Sequence, residues 1–98
     1  MKINFIVNNK NNRLAKVLPG MQQYCDQALP GKANFIFTKR KKHAIELALQ
    51  AVEDGCDYLI AVGGDGTLHE VINGVMQSDI PPSGFPVIGL LPYGSAND

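Results

Sequence analysis

The stretch YLIAVGGDGTLHEV, residues 58–71, sets three glycines and one aspartate between two apolar runs. Glycine inside a regular element costs roughly 0.5–1 kcal/mol against alanine, so such a concentration needs an offsetting gain. One is available where a buried strand hands over to a helix. Gly63, Gly64 and Gly66 would let the chain turn sharply and present free backbone amides at the helix start, where the helix dipole also favours an anion. The spacing matches neither the GxxxxGKS/T nor the GxGxxG phosphate loop. Asp65 would stand beside bound phosphate, a repulsive placement unless its carboxylate meets Mg²⁺ or accepts a hydroxyl proton, and phosphoryl transfer calls for both. Thr67 and Glu70 also fit a T-x-x-E capping box with Thr67 as N-cap. That accounts for those two residues and leaves the glycines unexplained.

Three other polar segments have types suited to a ligand. Thr38-Lys39-Arg40-Lys41-Lys42-His43 places four cations at the start of a helix, where the dipole prefers negative charge by roughly 0.3–1 kcal/mol per residue. The run is either a solvated surface or, in part, an anion contact, and Thr38 is a candidate N-cap. His43 has no histidine or cysteine partner nearby and reads as packed or capping. Asn8, Asn9, Lys10, Asn11 and Asn12 follow an apolar strand. They form a turn-rich loop or a set of nucleotide contacts. The last five residues, GSAND, offer a hydroxyl at Ser95, an amide at Asn97 and a carboxylate at Asp98.

The elements that must position these segments follow from periodicity. Strands are expected at Ile3–Val7, Asn34–Phe37, Tyr58–Val62 and Val87–Leu91. Helical stripes fall at Leu14, Val17, Leu18, Met21, Cys25 and Ala28, then Ile45, Ala48, Leu49, Val52 and Cys56, then Leu68, Val71, Ile72, Val75 and Met76. Pro19-Gly20 should kink or restart the first helix, Gly55 should close the second, and residues 81–84 should form a loop. Strand and helix alternate with short connections, which implies an α/β fold with a mainly parallel sheet between helix layers. Ligands of such sheets sit outside the carboxyl ends of the strands, and all four polar segments belong to that rim.

The 98 residues allow one domain, 45% hydrophobic and 18% charged, with nine basic and nine acidic residues. That balance gives no general affinity for nucleic acid, so anion binding must come from local geometry. Cys25 and Cys56 form no CxxC or cysteine–histidine metal pattern and read as reduced, buried residues of a cytoplasmic protein. The N-terminal apolar run is interrupted at Asn4 and is neither a signal peptide nor a membrane span.

Taken together, the segments resemble the catalytic domain of the diacylglycerol kinase family, which includes bacterial lipid kinases and sphingosine kinases. GGDGTLHEVINGV is similar to that family's nucleotide motif, GLLPYGSAND to its second motif, and TKRKKHAIELA to its threonine-to-histidine-alanine segment. The resemblance covers essentially the whole chain. It implies a Rossmann-like three-layer α/β/α domain and an ATP-dependent kinase acting with Mg²⁺ on a lipid hydroxyl. It also implies ATP contacts from Asn8, Asn9, Lys10, Asn11, Asn12, Thr38, Gly63, Gly64, Asp65, Gly66, Thr67, Leu68, His69, Glu70, Ser95 and Asn97, and a catalytic role for Asp65. Two local departures are the Asn-Asn-Lys-Asn-Asn loop, where the family has asparagine-proline and then a glycine, and Ser95 in place of threonine. A third is length. The family's β-rich second domain supplies much of the lipid site, so residues 1–98 correspond to the nucleotide-binding part. Alone, that part is expected to bind ATP without turnover, to self-associate, and to lie at the inner membrane surface only by peripheral contact. NAD kinases share the GGDG turn, and a non-catalytic nucleotide-binding module is the competing reading of a different class.

Overall fold

A computed structural model of the chain describes residues 1–8 and 13–92, and for residues 13–17 the backbone alone. The elements are β1 (Ile3–Val7), α1 (Arg13–Ala28), β2 (Ala33–Phe37), α2 (His43–Glu53), β3 (Tyr58–Gly63), α3 (Asp65–Met76), a 3₁₀ turn (Pro82–Gly84) and β4 (Val87–Pro92). All four strands run parallel in the order β2-β1-β3-β4. The expected α/β alternation therefore closes as a parallel sheet between two helix layers.

Alternation of side chains across the strands builds two apolar cores. Phe5, Val7 and Val62 meet Leu18 and Cys25 of α1 on one face. Ile6, Leu59 and Ala61 meet α2 and α3 on the other. Two-sided burial explains why β1 and β3 carry near-continuous apolar runs. Asn4 is the polar exception at 4% exposure. Its Oδ1 accepts a 3.2 Å hydrogen bond from Asn34 Nδ2, directly opposite in the β1–β2 register.

The helices depart from the sequence reading in three places. α1 runs through Pro19 without restarting. Pro19 and Gly20 are exposed, so water can satisfy the carbonyl that loses its donor to proline. On α2, the small side chains Ala44, Ala48 and Ala51 are buried with Val52, while Ile45 and Leu49 are only half-buried. On α3, Thr67, Val71, Gly74 and Val75 are buried, and Ile72 and Met76 are left 39% and 66% exposed. Gly74 explains the rotation of that face. A Cβ there would run into the Ile45 carbonyl oxygen and stand 2.8 Å from the Ala48 Cβ. The two helices therefore approach through a seam of small residues.

Gly55, at φ 81, ends α2 as expected. Its N–H donates to the Val52 carbonyl and that of Cys56 to the Ala51 carbonyl, the paired bonds of a Schellman motif. Both cysteines are free and buried, on opposite faces of the sheet. Burial, with Asp26 beside Cys25 and Asp57 beside Cys56, pushes both thiols above their ordinary range.

Candidate functional site

The strand order reverses at β1: the chain leaves it toward β2 and returns on its other side as β3. Such a switch point opens a crevice at the carboxyl ends of the strands. Asn8 follows β1 there, and its N–H donates to the Val62 carbonyl at 2.9 Å. Thr38 follows β2 and donates its N–H to the Val7 carbonyl at 2.9 Å. A cleft of about 300 Å³ opens between these strand ends and the starts of α2 and α3. It is lined by Asn8, Thr38, the basic turn 39–42, Ala44, Thr67 and Glu70.

The GGDG turn divides its glycines between two tasks. Gly63 sits at φ 154, a region open in practice to glycine. A Cβ there would lie 2.7 Å from Thr67 Oγ1 and 3.2 Å from the Asn8 Cβ, so Gly63 is required by the fold. Gly64 is extended, at φ −102 and ψ −169, and precedes the helix as its N-cap without a side-chain bond. Gly66 lies inside the first turn of α3, and a Cβ added to it would meet nothing within 4 Å among the described residues. Packing among those residues does not call for that glycine.

α3 begins at Asp65, so Thr67 is a helical residue and the expected Thr67–Glu70 capping box does not form. Thr67 is 4% exposed, and its Oγ1 accepts a 3.1 Å hydrogen bond from Asn8 Nδ2. The N–H groups of Thr67 and Leu68 both reach back to the Gly64 carbonyl, at 3.1 and 3.2 Å. Those of Asp65 and Gly66 take no partner among the described residues. Two open amides at the positive end of the helix dipole are suited to an anion. The Asp65 side chain is exposed beside them.

The basic turn is organised by its own contacts. Thr38 is not the N-cap of α2. The helix starts five residues later, after Lys42, which holds a left-handed conformation at φ 63, ψ 4 and offers no side-chain cap. The His43 Nδ1 accepts the Lys39 N–H at 2.9 Å, which gives that histidine its capping task. Arg40 pairs with Glu46, both more than half exposed, a pairing worth little in water. Lys39, Lys41 and Lys42 have no carboxylate partner among the described residues, and they face the cleft with Glu70 on its α3 wall.

The comparisons with known proteins agree with this geometry. A family model described as the diacylglycerol kinase catalytic domain matches residues 2–98. The chain belongs to the diacylglycerol kinase catalytic-domain family. It is 43% identical over 61 residues to a diacylglycerol kinase of Staphylococcus saprophyticus, covering 62% of this chain and 19% of that protein. It is 46% identical over 54 residues to a probable YegS-like lipid kinase of Chromohalobacter salexigens, covering 55% and 17%. A solved putative diacylglycerol kinase from Bacillus anthracis superposes with a TM-score of 0.72 at 27% identity, covering 96% of this chain and 33% of that one. The chain thus spans about a third of its solved relative's length.

Of the residues the family resemblance assigns to nucleotide, Asn8, Thr38, Thr67 and Glu70 line one cleft. Gly63 packs under it, and Gly64, Asp65, Gly66 and His69 stand at the start of α3 outside its lining. Leu68 packs against the α2–α3 core, and its N–H is taken by the Gly64 carbonyl. Asn9, Lys10, Asn11, Asn12, Ser95 and Asn97 lie outside the described residues. Ala44 lines the cleft without having been singled out from the sequence, because a small apolar residue at helical spacing reads as core. No group of three or more His, Cys, Asp or Glu side chains is gathered for a metal among the described residues.

Proposed function

We propose that the protein is an ATP-dependent lipid kinase that transfers the γ-phosphoryl group of Mg-ATP to a lipid hydroxyl such as that of diacylglycerol, with this chain as its nucleotide-binding half. The observation that carries the reading is Gly66, a glycine inside a helix turn that packing among the described residues leaves free to be alanine, beside two amides with no partner among those residues and a cationic cleft. A helix position that gives up about 1 kcal/mol of propensity is explained when a phosphate must approach the backbone. Membership in a kinase family supports the same reading.

In this scheme the Asp65 and Gly66 amides take phosphate oxygens. Lysines of the basic turn neutralise the polyphosphate from the opposite wall, and Asn8, Thr38 and Glu70 engage the rest of the nucleotide. Magnesium needs few protein ligands, because it uses one or two carboxylates together with phosphate oxygens. Asp65 would hold it, and the ion would offset charge on the transferred group. In this scheme a carboxylate oxygen of Asp65 not engaged by the ion would take the proton of the attacking hydroxyl. The acceptor lipid is assigned to the region of the relatives that this chain does not span. Among the described residues no helix is long and apolar enough to cross a membrane. In this scheme the lipid is met by peripheral contact from the cytoplasmic side.

The test pairs calorimetric titration of Mg-ATP with a phosphotransfer assay on diacylglycerol in mixed micelles, using residues 1–98 and the full-length protein. The expected outcome is weak binding without turnover by residues 1–98, and lipid phosphorylation by the full-length protein. A full-length protein that binds ATP and phosphorylates no lipid would favour the non-catalytic module. One that phosphorylates NAD would favour the NAD kinase reading.

A further inference from the structure

Thr67 lies in the motif, yet its side chain is oriented for something other than a ligand. It is 4% exposed, and its hydroxyl oxygen accepts the Asn8 carboxamide N–H at 3.1 Å. The two residues are 59 positions apart: Asn8 directly follows β1, and Thr67 lies in the first turn of α3, the helix that β3 feeds. The space between them is kept by Gly63, whose missing Cβ would fall within 2.7 Å of Thr67 Oγ1 and 3.2 Å of the Asn8 Cβ. The Asn8 backbone is anchored separately to the Val62 carbonyl, so the side-chain bond is not needed to hold the chain there. What it adds is a hold on the rotation of the carboxamide at the cleft wall.

We infer that Thr67 is a positioning residue: its buried hydroxyl orients the Asn8 carboxamide toward bound nucleotide, and Gly63 is glycine to leave room for that contact. The inference rests on the nucleotide reading of the cleft and adds a division of labour within it, with Asn8 touching the ligand and Thr67 acting through Asn8. A carboxamide held less firmly presents donor and acceptor groups more nearly interchangeably. One held from behind presents a single pattern, and the ordering cost is met before the ligand arrives.

The experiment is a double-mutant cycle on Mg-ATP affinity with Asn8→Ala, Thr67→Val and the double variant, together with Thr67→Ser. Each protein's denaturant midpoint is measured in parallel, and the Asn8 side-chain amide resonances are recorded by NMR. Thr67→Val should weaken binding roughly tenfold, the scale of one lost hydrogen bond with its partner left unsatisfied. Thr67→Ser should restore affinity to within about threefold, and Thr67→Val should add no more than that in the Asn8→Ala background, as for residues acting as one unit. The wild-type Asn8 amide should show a nuclear Overhauser contact to Thr67 that Thr67→Val abolishes. Unchanged affinity in a folded Thr67→Val protein, additive losses in the cycle, or absence of the Asn8–Thr67 contact would overturn the inference. Should Thr67→Val unfold the protein, failure of Thr67→Ser to bind like wild type would also overturn it. If the wild-type protein shows the contact and binds no nucleotide, the cleft reading falls and takes the positioning role with it.

Discussion

Gly66→Ala separates a glycine kept for the fold from one kept for a ligand. The residue is the second of α3, and an added Cβ meets no described residue within 4 Å. Replacing a helical glycine with alanine at such a site narrows the unfolded ensemble and should stabilise the protein by roughly 0.4–1 kcal/mol. For a domain of this size, that is a rise of about 2–8 °C in Tm. The effect on nucleotide should have the opposite sign. A methyl group beside the Asp65 and Gly66 amides hinders approach of a phosphate oxygen, and one lost hydrogen bond to a charged group is worth about 1.5–3 kcal/mol, or roughly ten- to 150-fold in Kd. Thermal and urea unfolding, run beside calorimetric titration of Mg-ATP on the same preparations, read both quantities. Gly63→Ala is the internal control. Its φ of 154 and its contact with Thr67 should cost about 1–3 kcal/mol of stability. A Gly66→Ala protein that is more stable and binds ATP as tightly as wild type would refute the phosphate-cradle reasoning. One that is less stable would refute the claim that the position is open.

Asp65→Asn in the full-length protein should lower kcat more than a hundredfold, about 2.7 kcal/mol of barrier, with an unchanged unfolding midpoint, because the exposed carboxylate has no partner among the described residues; a steady-state assay with a parallel melt checks it. Gly74→Ala should destabilise the protein by about 1–3 kcal/mol through overpacking, since its Cβ would meet the Ile45 carbonyl, while ATP affinity of the folded fraction stays intact. Stability should fall as pH rises above about 9. Burial raises both thiol pKa values above that of a free thiol, so the folded state keeps protons that the unfolded state releases. Urea midpoints from pH 7 to 10 should show the decline, and Cys56→Ala should flatten it.

The order of elements was legible because each is encoded over a few neighbouring residues. Two-sided burial writes β1 and β3 as apolar runs, and Gly55 marks the end of α2 through a conformation that other residues avoid. The rim loops followed from parallel α/β alternation, which sends every strand's carboxyl end to one side. Assignments that depend on partners distant in sequence were not legible. Thr67 satisfies a local capping pattern, but its hydroxyl is taken by Asn8 once β1 and β3 pair, and Gly64 precedes the helix instead. Thr38 likewise looked like a cap, and the basic turn intervenes before α2 begins. Ile72 and Met76 continue an apolar stripe, yet Gly74 lets α2 approach so closely that the buried face of α3 is rotated away from them. The sequence by itself determined that Asn8, Thr38 and the GGDGT turn stand on the rim, since periodicity and chain direction are local properties. Which of them share a cleft, and which merely hold another in place, was decided by the strand order and the close α2–α3 packing, where contacts form between residues that carry no local signal of one another.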